Sequence, residues 1–155
     1  MVTKAYWTLY IDIMCISLDG NAFDAAWTAV IAALRDTTLP KAWWDADLQS
    51  IVCSPLASES HKLELTRTPT TASFAVFSTA SPLKEHSEAE IWVLADPDDF
   101  EEEICREFLT VVVDGGSVLK VEKHGGPGLG KDQVRRCAQL ALRQYQVKSN
   151  VGGGG

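Results

Sequence analysis

The residues best suited to chemistry are six carboxylates crowded into residues 96–103. They are Asp96, Asp98, Asp99, Glu101, Glu102 and Glu103. Clustered carboxylates can hold Mg²⁺ or Mn²⁺ for phosphoryl chemistry, because hard divalent cations prefer oxygen ligands. The spacing lacks the glycine and the alternating ligands that an EF-hand loop requires. Composition alone therefore favours the plainer interpretation, a solvated acidic turn before a strand.

A second candidate is the glycine-rich stretch GGPGLGKD, which covers Gly125 to Asp132. It is close to the phosphate-binding pattern G-x-x-x-x-G-K-[ST], with Lys131 in the lysine position. Asp132 replaces the hydroxyl that would hold magnesium, and its carboxylate would repel bound phosphates. Pro127 also removes one backbone N–H from the phosphate cradle. The pattern favours a strand-to-helix connector over a nucleotide site, which stays as an alternative.

The remaining polar candidates are weaker. His61, His86 and His124 show no metal-ligand spacing, and Ser54 and Ser73 lack the context of a nucleophile elbow. The last predicted helix is basic and can contact RNA or an acidic partner, although such a face is more often simply solvated. Its cations are Lys131, Arg135, Arg136, Arg143 and Lys148.

Length and composition set broad limits on these possibilities. The chain has 155 residues, 46% of them hydrophobic, which suits one domain with a real core. A net charge of −7 argues against nucleic-acid binding as a solo activity, because that binding depends on clustered cations. The four cysteines form no C-x-x-C pair and are predicted to be reduced core residues, with Cys15, Cys105 and Cys137 in apolar patterns. No membrane span is predicted.

The order of elements predicts an α+β fold with helices packed on a mainly antiparallel or mixed sheet. Residues 5–17 have the aromatic and β-branched composition of a strand, and an Asp-Gly-Asn turn leads into a helix. Gly115-Gly116 between two apolar runs predicts a hairpin, and Trp43 and Trp44 are predicted packing anchors. The predicted elements are strands at 5–17, 61–66, 72–77, 91–94, 105–114 and 117–124, helices at 22–36 and 132–146, and a polar loop at 81–90.

Four segments together resemble the RNase PH-like subunits of the eukaryotic RNA exosome core ring. They are LYIDIMCISLDGNAFDAAWTAVIAALRDTTLP, TRTPTTASFAVF, LADPDDFEEE and VEKHGGPGLGKDQVRRCAQLA, and they occur in the family's order. The likeness covers nearly all of residues 7–146. It implies the RNase PH-like fold, also described as ribosomal protein S5 domain 2-like, over residues 1–148. It also implies that the N-terminal half of the domain is missing, with 149–155 a disordered glycine-rich tail.

The resemblance also bears on catalysis. Active members carry a Thr or Ser and an Arg that hold the attacking phosphate, and the corresponding positions here are Asn21, Ala22 and Phe23. Their two metal-binding aspartates fall on Asp96 and Glu102, which are at most a vestigial metal site. The resemblance therefore implies a non-catalytic ring subunit with no cofactor. The implied partners are other ring subunits, cap subunits with S1 or KH domains, and RNA contacted through Lys131, Arg135, Arg136 and Arg143. The implied location is the nucleus and nucleolus, and also the cytoplasm.

Overall fold

The computed structural model describes residues 5–79, 90–126 and 128–152. Their contacts divide them into two compact units, where the sequence predicted one partial domain. The first unit holds the residues up to 14 together with 29–66, and the second holds 15–28 and the residues from 67 onward. In chain order the elements are α1 (Ala22–Asp36), β1 (Thr38–Leu39), β2 (Ala42–Asp45), β3 (Ser50–Cys53), a 3₁₀ turn (Ala57–Glu59), β4 (His61–Lys62), β5 (Thr70–Ser78), β6 (Ile91–Ala95), α2 (Asp99–Ile104), β7 (Glu107–Asp114), β8 (Ser117–Gly125) and α3 (Lys131–Gly152).

The second unit is built on a four-stranded antiparallel sheet with the order β6-β5-β7-β8. The predicted hairpin is confirmed, since β7 and β8 pair antiparallel from Glu107↔Gly125 to Asp114↔Ser117. Gly115 and Gly116 connect these strands with φ angles of 55° and 79°, a conformation that glycine adopts without steric cost. The predicted strands at 72–77 and 91–94 are also confirmed, as β5 and β6.

The core of this unit lies between α3 and one face of the sheet. Alternate residues of β5 and β7 point to the same side, so Phe74, Leu109 and Val111 form one apolar surface. On α3, Cys137 and Ala141 stand one turn apart and pack against that surface. Ala141 is small enough to let the helix backbone approach the sheet closely. In the sequence, the spacing of Cys137 and Ala141 belongs to an amphipathic repeat, which indicates this buried side. The repeat consists of Val134, Cys137, Ala138, Ala141, Leu142 and Tyr145.

Helix α1 begins and ends where the sequence placed it. Its first seven residues belong to the second unit and the rest to the first. No residue of α1 is fully buried, although its alanine-rich composition predicted a helix pressed against a sheet. Within the second unit its best anchor is Trp27, whose Nε1–H donates to the carbonyl of Pro69 at 2.8 Å.

The first unit contains two short antiparallel pairs. Strands β2 and β3 form a hairpin from Ala42↔Cys53 to Asp45↔Ser50, in a region where the sequence showed no clear period. Strand β1 pairs with β4, which covers only His61–Lys62 of the predicted strand 61–66. Trp43 and Trp44, the predicted packing anchors, are 43% and 42% exposed, so neither belongs to the fully buried core. Two-stranded hairpins bury little apolar area by themselves.

The largest correction concerns residues 5–17, where the sequence predicted a strand. This segment forms no strand, and its side chains are largely exposed, with Tyr10 at 89% and Ile16 at 94%. The physical reason is the lack of a partner. A strand needs a hydrogen-bonded neighbour, and no strand among the described residues pairs with residues 5–17. Cys15 and Cys53 are also exposed, contrary to the prediction that the cysteines are core residues, whereas Cys105 and Cys137 are buried.

Two smaller differences concern helices, and one predicted loop is not tested. Residues 99–104 form helix α2, where the sequence predicted an acidic turn. Helix α3 continues to Gly152, so it includes the first residues of the predicted tail. The predicted polar loop 81–90, with His86, falls almost wholly outside the described residues. None of the described helices is long and apolar enough to cross a membrane.

Candidate functional site

The polar cluster of the second unit is organised by the turn that precedes α1. Gly20 and Asn21 both have positive φ angles, 80° and 44°. A Cβ atom at Gly20 would collide with the backbone of Pro97 and Asp98, so this turn lies directly against the segment that leads into α2. The backbone N–H of Asn21 donates to Oε1 of Glu102 on α2 at 2.9 Å. Two segments 81 residues apart in sequence are joined here.

The side chain of Asn21 is the hub of the cluster. Its Nδ2 donates to Oδ1 of Asp96 at 2.6 Å and to Oδ2 of Asp24 at 3.0 Å. The residue is only 8% exposed, and its Oδ1 is buried without a hydrogen-bond partner among the described residues. One neutral amide thus bridges two carboxylates that would otherwise repel each other.

Asp24 extends the network into the sheet. It accepts hydrogen bonds from the backbone N–H of Ser73 at 2.8 Å and from the Ser73 hydroxyl at 3.0 Å. Ser73 Oγ also lies 3.3 Å from Oγ1 of Thr110 on the neighbouring strand. The backbone N–H of Asp96 donates to the carbonyl of Ser73 at 3.1 Å, which fixes the end of β6 beside the same strand. The carboxylates are therefore held in place by β5.

A cavity of about 400 Å³ opens over this cluster. Asn21, Asp24, Ser73 and Asp96 form one side, and α3 supplies the other through Arg143, Gln144 and Val147. The lining contains two carboxylates and one guanidinium, so it offers both hydrogen-bond acceptors and a cation. Asp24 and Asp96 both accept from the Asn21 amide, which leaves them fewer free lone pairs for a ligand.

Asn21, Ala22 and Phe23 are the positions that correspond, by family resemblance, to a phosphate-binding motif. Phe23 is half-exposed and its ring stacks on Trp27 with centroids 6.2 Å apart. Asp96 and Glu102 do converge, but they meet through Asn21, one at its side chain and the other at its backbone. Among the residues that the structure describes, no three His, Cys, Asp or Glu side chains are grouped so as to hold a metal ion.

The other carboxylates of the acidic segment stabilise helix α2. The Asp98 side chain accepts from the N–H of Glu101, and the Glu101 side chain accepts from the N–H of Asp98. This reciprocal capping box satisfies two backbone donors that a helix start leaves free. Negative charge in a first turn also interacts favourably with the helix dipole. The cluster of acidic residues thus has a structural explanation.

The glycine-rich stretch is a connector in the structure. Its first glycine ends β8, an antiparallel strand at the edge of the sheet, whereas a P-loop follows a strand inside a βα unit. A side chain at Gly125 would collide with the carbonyl of Arg106, and one at Gly126 with the carboxylate of Glu107. Glu107 is buried and forms an ion pair with Lys123 at 3.0 Å. These glycines let the chain pass over a buried carboxylate.

Four basic residues of α3 are exposed but differ in their surroundings: Lys131, Arg135, Arg136 and Arg143. Arg135 lies 3.5 Å from Asp132, an exposed ion pair within one turn. Arg136 and Arg143 are seven residues apart, so they lie on one stripe of the helix, and Arg143 reaches the cavity described above. Lys131 is exposed at the first position of the helix.

Sequence reasoning missed Asp24 and set Ser73 aside. These two residues are 49 positions apart, and no local pattern joins a helix residue to a strand residue at that distance. The one available signal was the Asn-x-x-Asp spacing of Asn21 and Asp24, which is typical of a capped helix start. Such a pattern explains why the two side chains meet, and it says nothing about Ser73.

Comparison with known proteins adds family membership to this geometry. Residues 1–40 match the 3′ exoribonuclease family, domain 1, of RNase PH. The chain is 34% identical over 143 residues to exosome complex component rrp43 of Schizosaccharomyces pombe, covering 92% of this chain and 48% of that protein. It is 27% identical over 139 residues to exosome complex component Rrp42 of Methanothermobacter thermautotrophicus, covering 89% and 45%.

Solved structures support the same fold. The fold resembles a chain of the Archaeoglobus fulgidus exosome with RNA bound to the active site, with a TM-score of 0.59 and 21% identity over 88% of this chain and 45% of that one. It also resembles a chain of an archaeal exosome core, with a TM-score of 0.56 and 24% identity over 86% and 46%. The chain belongs to the RNase PH family. It spans about half the length of the curated exosome components Rrp43 and Rrp42 that it matches.

Proposed function

We propose that the chain is a non-catalytic structural subunit of an RNA exosome core ring, supporting 3′→5′ RNA processing and degradation, including rRNA maturation. Relatives named as exosome complex components support the ring assignment. The observation that carries the non-catalytic part is the hydrogen bonding of Asn21. Its amide donates to Asp24 and Asp96, in the turn where active members present a phosphate-binding arginine.

The chemistry of phosphorolysis explains why this arrangement argues against bond cleavage. Inorganic phosphate must be held beside the scissile bond, and arginine does this through two parallel hydrogen bonds. Asn21, Ala22 and Phe23 supply neither a guanidinium nor a hydroxyl. Among the described residues, Arg143 is the one cation that lines the cavity, but it shares that lining with Asp24 and Asp96, whose charges repel phosphate.

A phosphorolysis assay tests this part of the proposal. The purified chain is incubated with a labelled oligoribonucleotide, Mg²⁺ and inorganic phosphate, with an active RNase PH-family enzyme as the positive control. We expect no phosphate-dependent release of nucleoside diphosphates above the enzyme-free background. Phosphate-dependent release that disappears in an Asp96→Asn variant would show an active phosphorolytic exoribonuclease and overturn the proposal.

Assembly is tested separately in cells. The proposed partners are the other RNase PH-like ring subunits and the cap subunits with S1 or KH domains, with RNA passing through the assembled channel. A tagged chain purified from native cells should recover ring subunits in mass spectrometry, and imaging should place it in the nucleus, nucleolus and cytoplasm. Recovery of no ring subunit, with the tagged chain itself recovered intact, would count against the assignment.

We also propose that α3 contributes RNA or partner contacts through Lys131, Arg135, Arg136 and Arg143. Arg136 and Arg143 are the informative pair, because Arg135 is already partnered by Asp132. Replacing both with glutamate should lower crosslinking to RNA in affinity-purified assemblies, since repulsion replaces attraction to phosphates. The control is Lys62→Glu, an exposed lysine on β4 that pairs with Asp36. Equal crosslinking by both variants would remove α3 from the proposed RNA path.

A further inference from the structure

The outer edge of the four-stranded sheet is β8. All nine residues of this strand are exposed, and within the described residues no strand pairs with its outer side. Such an edge presents a row of free backbone donors and acceptors, which is a template for pairing with another strand. The opposite edge, β6, is five residues long and carries no charged side chain that could set a register.

From Lys120 to Gly125, side chains alternate along β8 between two chemically distinct faces. Before Lys120, a bulge shifts the register of β8 with β7 between Val112 and Val113. Its register with β7 places Val121 beside Val111 on the face covered by α3. Lys120 and Glu122 lie beside Val112 and Thr110 on the other face. The apolar residues Val118, Leu119 and Val121 are exposed, so the strand offers apolar side chains as well as charges.

The charges select one register for pairing with an identical strand. In antiparallel pairing about a two-fold axis at Val121, Lys120 of each copy stands opposite Glu122 of the other. Centring the axis on Lys120 brings two lysines together, and centring it on Glu122 brings two glutamates together. Opposite charges across paired strands are stabilising and like charges are destabilising, so the axis at Val121 is favoured.

Within a single copy of the chain, Lys120 and Glu122 already interact on one face of β8. Lys120 Nζ donates to Glu122 Oε2 at 2.8 Å along the same face. The hydrogen bond from Lys120 holds the pKa of Glu122 below its ordinary value, which favours the carboxylate form of Glu122. In the pair, each lysine would lie between its own Glu122 and that of the second copy, which gives a row of alternating charges.

We propose that β8 is a self-association surface, through which two copies of this chain join their sheets antiparallel about Val121 into one continuous eight-stranded sheet. The inference is independent of the proposed ring function, because it concerns free copies of the chain and uses no residue of the polar cluster. It follows from the exposed edge and from the Lys-x-Glu spacing around the central valine.

Charge reversal tests both the surface and the register. The purified chain is studied by sedimentation velocity over a range of concentrations, together with the variants Lys120→Glu and Glu122→Lys. We expect a concentration-dependent dimer for the natural sequence. Each variant should weaken it about ten-fold or more, because two attractive pairs become repulsive in a symmetric dimer. An equimolar mixture of the two variants should recover the dimer, since glutamates then face lysines again.

Two controls make the result decisive. Lys62→Glu changes net charge by the same amount as Lys120→Glu but lies on β4, and it should leave the dimer unchanged. Urea unfolding of each variant confirms that the fold is intact. A natural chain that stays monomeric at every concentration overturns the proposal. A dimer that neither charge reversal weakens, or variants that fail to recover it when mixed, overturns the register and with it the proposed surface.

Discussion

Strands β5 and β8 lie on either side of β7 and have the same length, yet their environments are opposite. β5 lies between β6 and β7 and includes Phe74 and Ala75, both fully buried. β8 has no buried residue, although it also pairs antiparallel with β7 along its length. Both strands form hydrogen bonds with β7 over most of their length, with one register shift in the pairing of β8, so hydrogen bonding alone does not decide how much a strand contributes to the core.

The difference teaches that position in the sheet and side-chain pattern decide burial together. β5 reads TTASFAVFS and carries no charge, whereas β8 reads SVLKVEKHG and interrupts its valines with ions. Charged side chains on an edge strand are typical of natural sheets, because they oppose pairing in registers that bring like charges together. The apolar residues of β8 are thus accessible to a neighbouring molecule, while most of those of β5 are buried in the core.

The largest expected effect is the difference in stability between losing a buried side chain of β5 and losing an exposed side chain of β8. Phe74→Ala removes a fully buried aromatic ring and should lower the free energy of unfolding by about 3–5 kcal/mol. Val121→Ala removes an exposed side chain of the edge strand and should cost less than about 1 kcal/mol. Urea unfolding followed by circular dichroism measures both. Similar losses for the two variants would mean that β8 is covered in solution.

A second comparison uses the glycines next to the two ends of β8, both with positive φ. Gly116→Ala introduces a Cβ into open space and should lose about 1–2 kcal/mol, the cost of a left-handed backbone. Gly125→Ala adds a collision with the Arg106 carbonyl, so its loss should be larger, about 3 kcal/mol. Thermal and urea unfolding of the two variants test the order. A smaller loss at Gly125 would contradict the close approach described here.

A third comparison concerns one serine in each strand. Ser73 in β5 donates to Asp24, and Ser73→Ala leaves that carboxylate with one hydrogen bond fewer. We expect a loss of about 1–2 kcal/mol, because the acceptor is charged and partly buried. Ser117→Ala in exposed β8 should stay within about 0.5 kcal/mol of the natural chain. Equal stability of the two variants would show that the Asp24 network adds nothing to the fold.

The last prediction concerns the reactivity of the cysteine thiols toward alkylation and involves no change in stability. Cys15 and Cys53 are exposed, whereas Cys105 and Cys137 are buried, and burial raises the pKa of the Cys137 thiol. Since the thiolate is the reactive form, Cys137 should resist iodoacetamide at pH 8 and react faster only as the pH rises or the chain unfolds. Mass spectrometry should find two modified thiols under native conditions and four in urea. Early modification of Cys137 would place it outside the core.

Local signals predicted most of the second unit. Helix α1, helix α3 and the β7–β8 hairpin follow from periodicity and from the Gly115-Gly116 turn, which act over a few residues. Residues 5–17 were predicted wrongly, because β-forming composition cannot create a strand without a neighbour. The β2–β3 hairpin was missed because its four-residue strands are too short to show a period.

The candidate site was only partly predictable for a related reason. Asp96 and Glu102 were indicated by family resemblance, and the structure joins both to Asn21. The bonds between Asp24 and Ser73, and the approach of Arg143 to the cavity, depend on how α1, β5 and α3 meet. Such long-range contacts leave no periodic mark in the sequence, so only the folded chain reveals them.

The exposed segment at residues 5–17 has a consequence for the life of the protein in a cell. Its bare aromatic and aliphatic side chains, such as Tyr10 and Ile16, are what chaperones and quality-control proteases recognise. Degradation of the chain therefore competes with the burial of this segment against another molecule. We expect the abundance of the chain to depend more on the amount of a partner that binds residues 5–17 than on the rate at which the chain is synthesised.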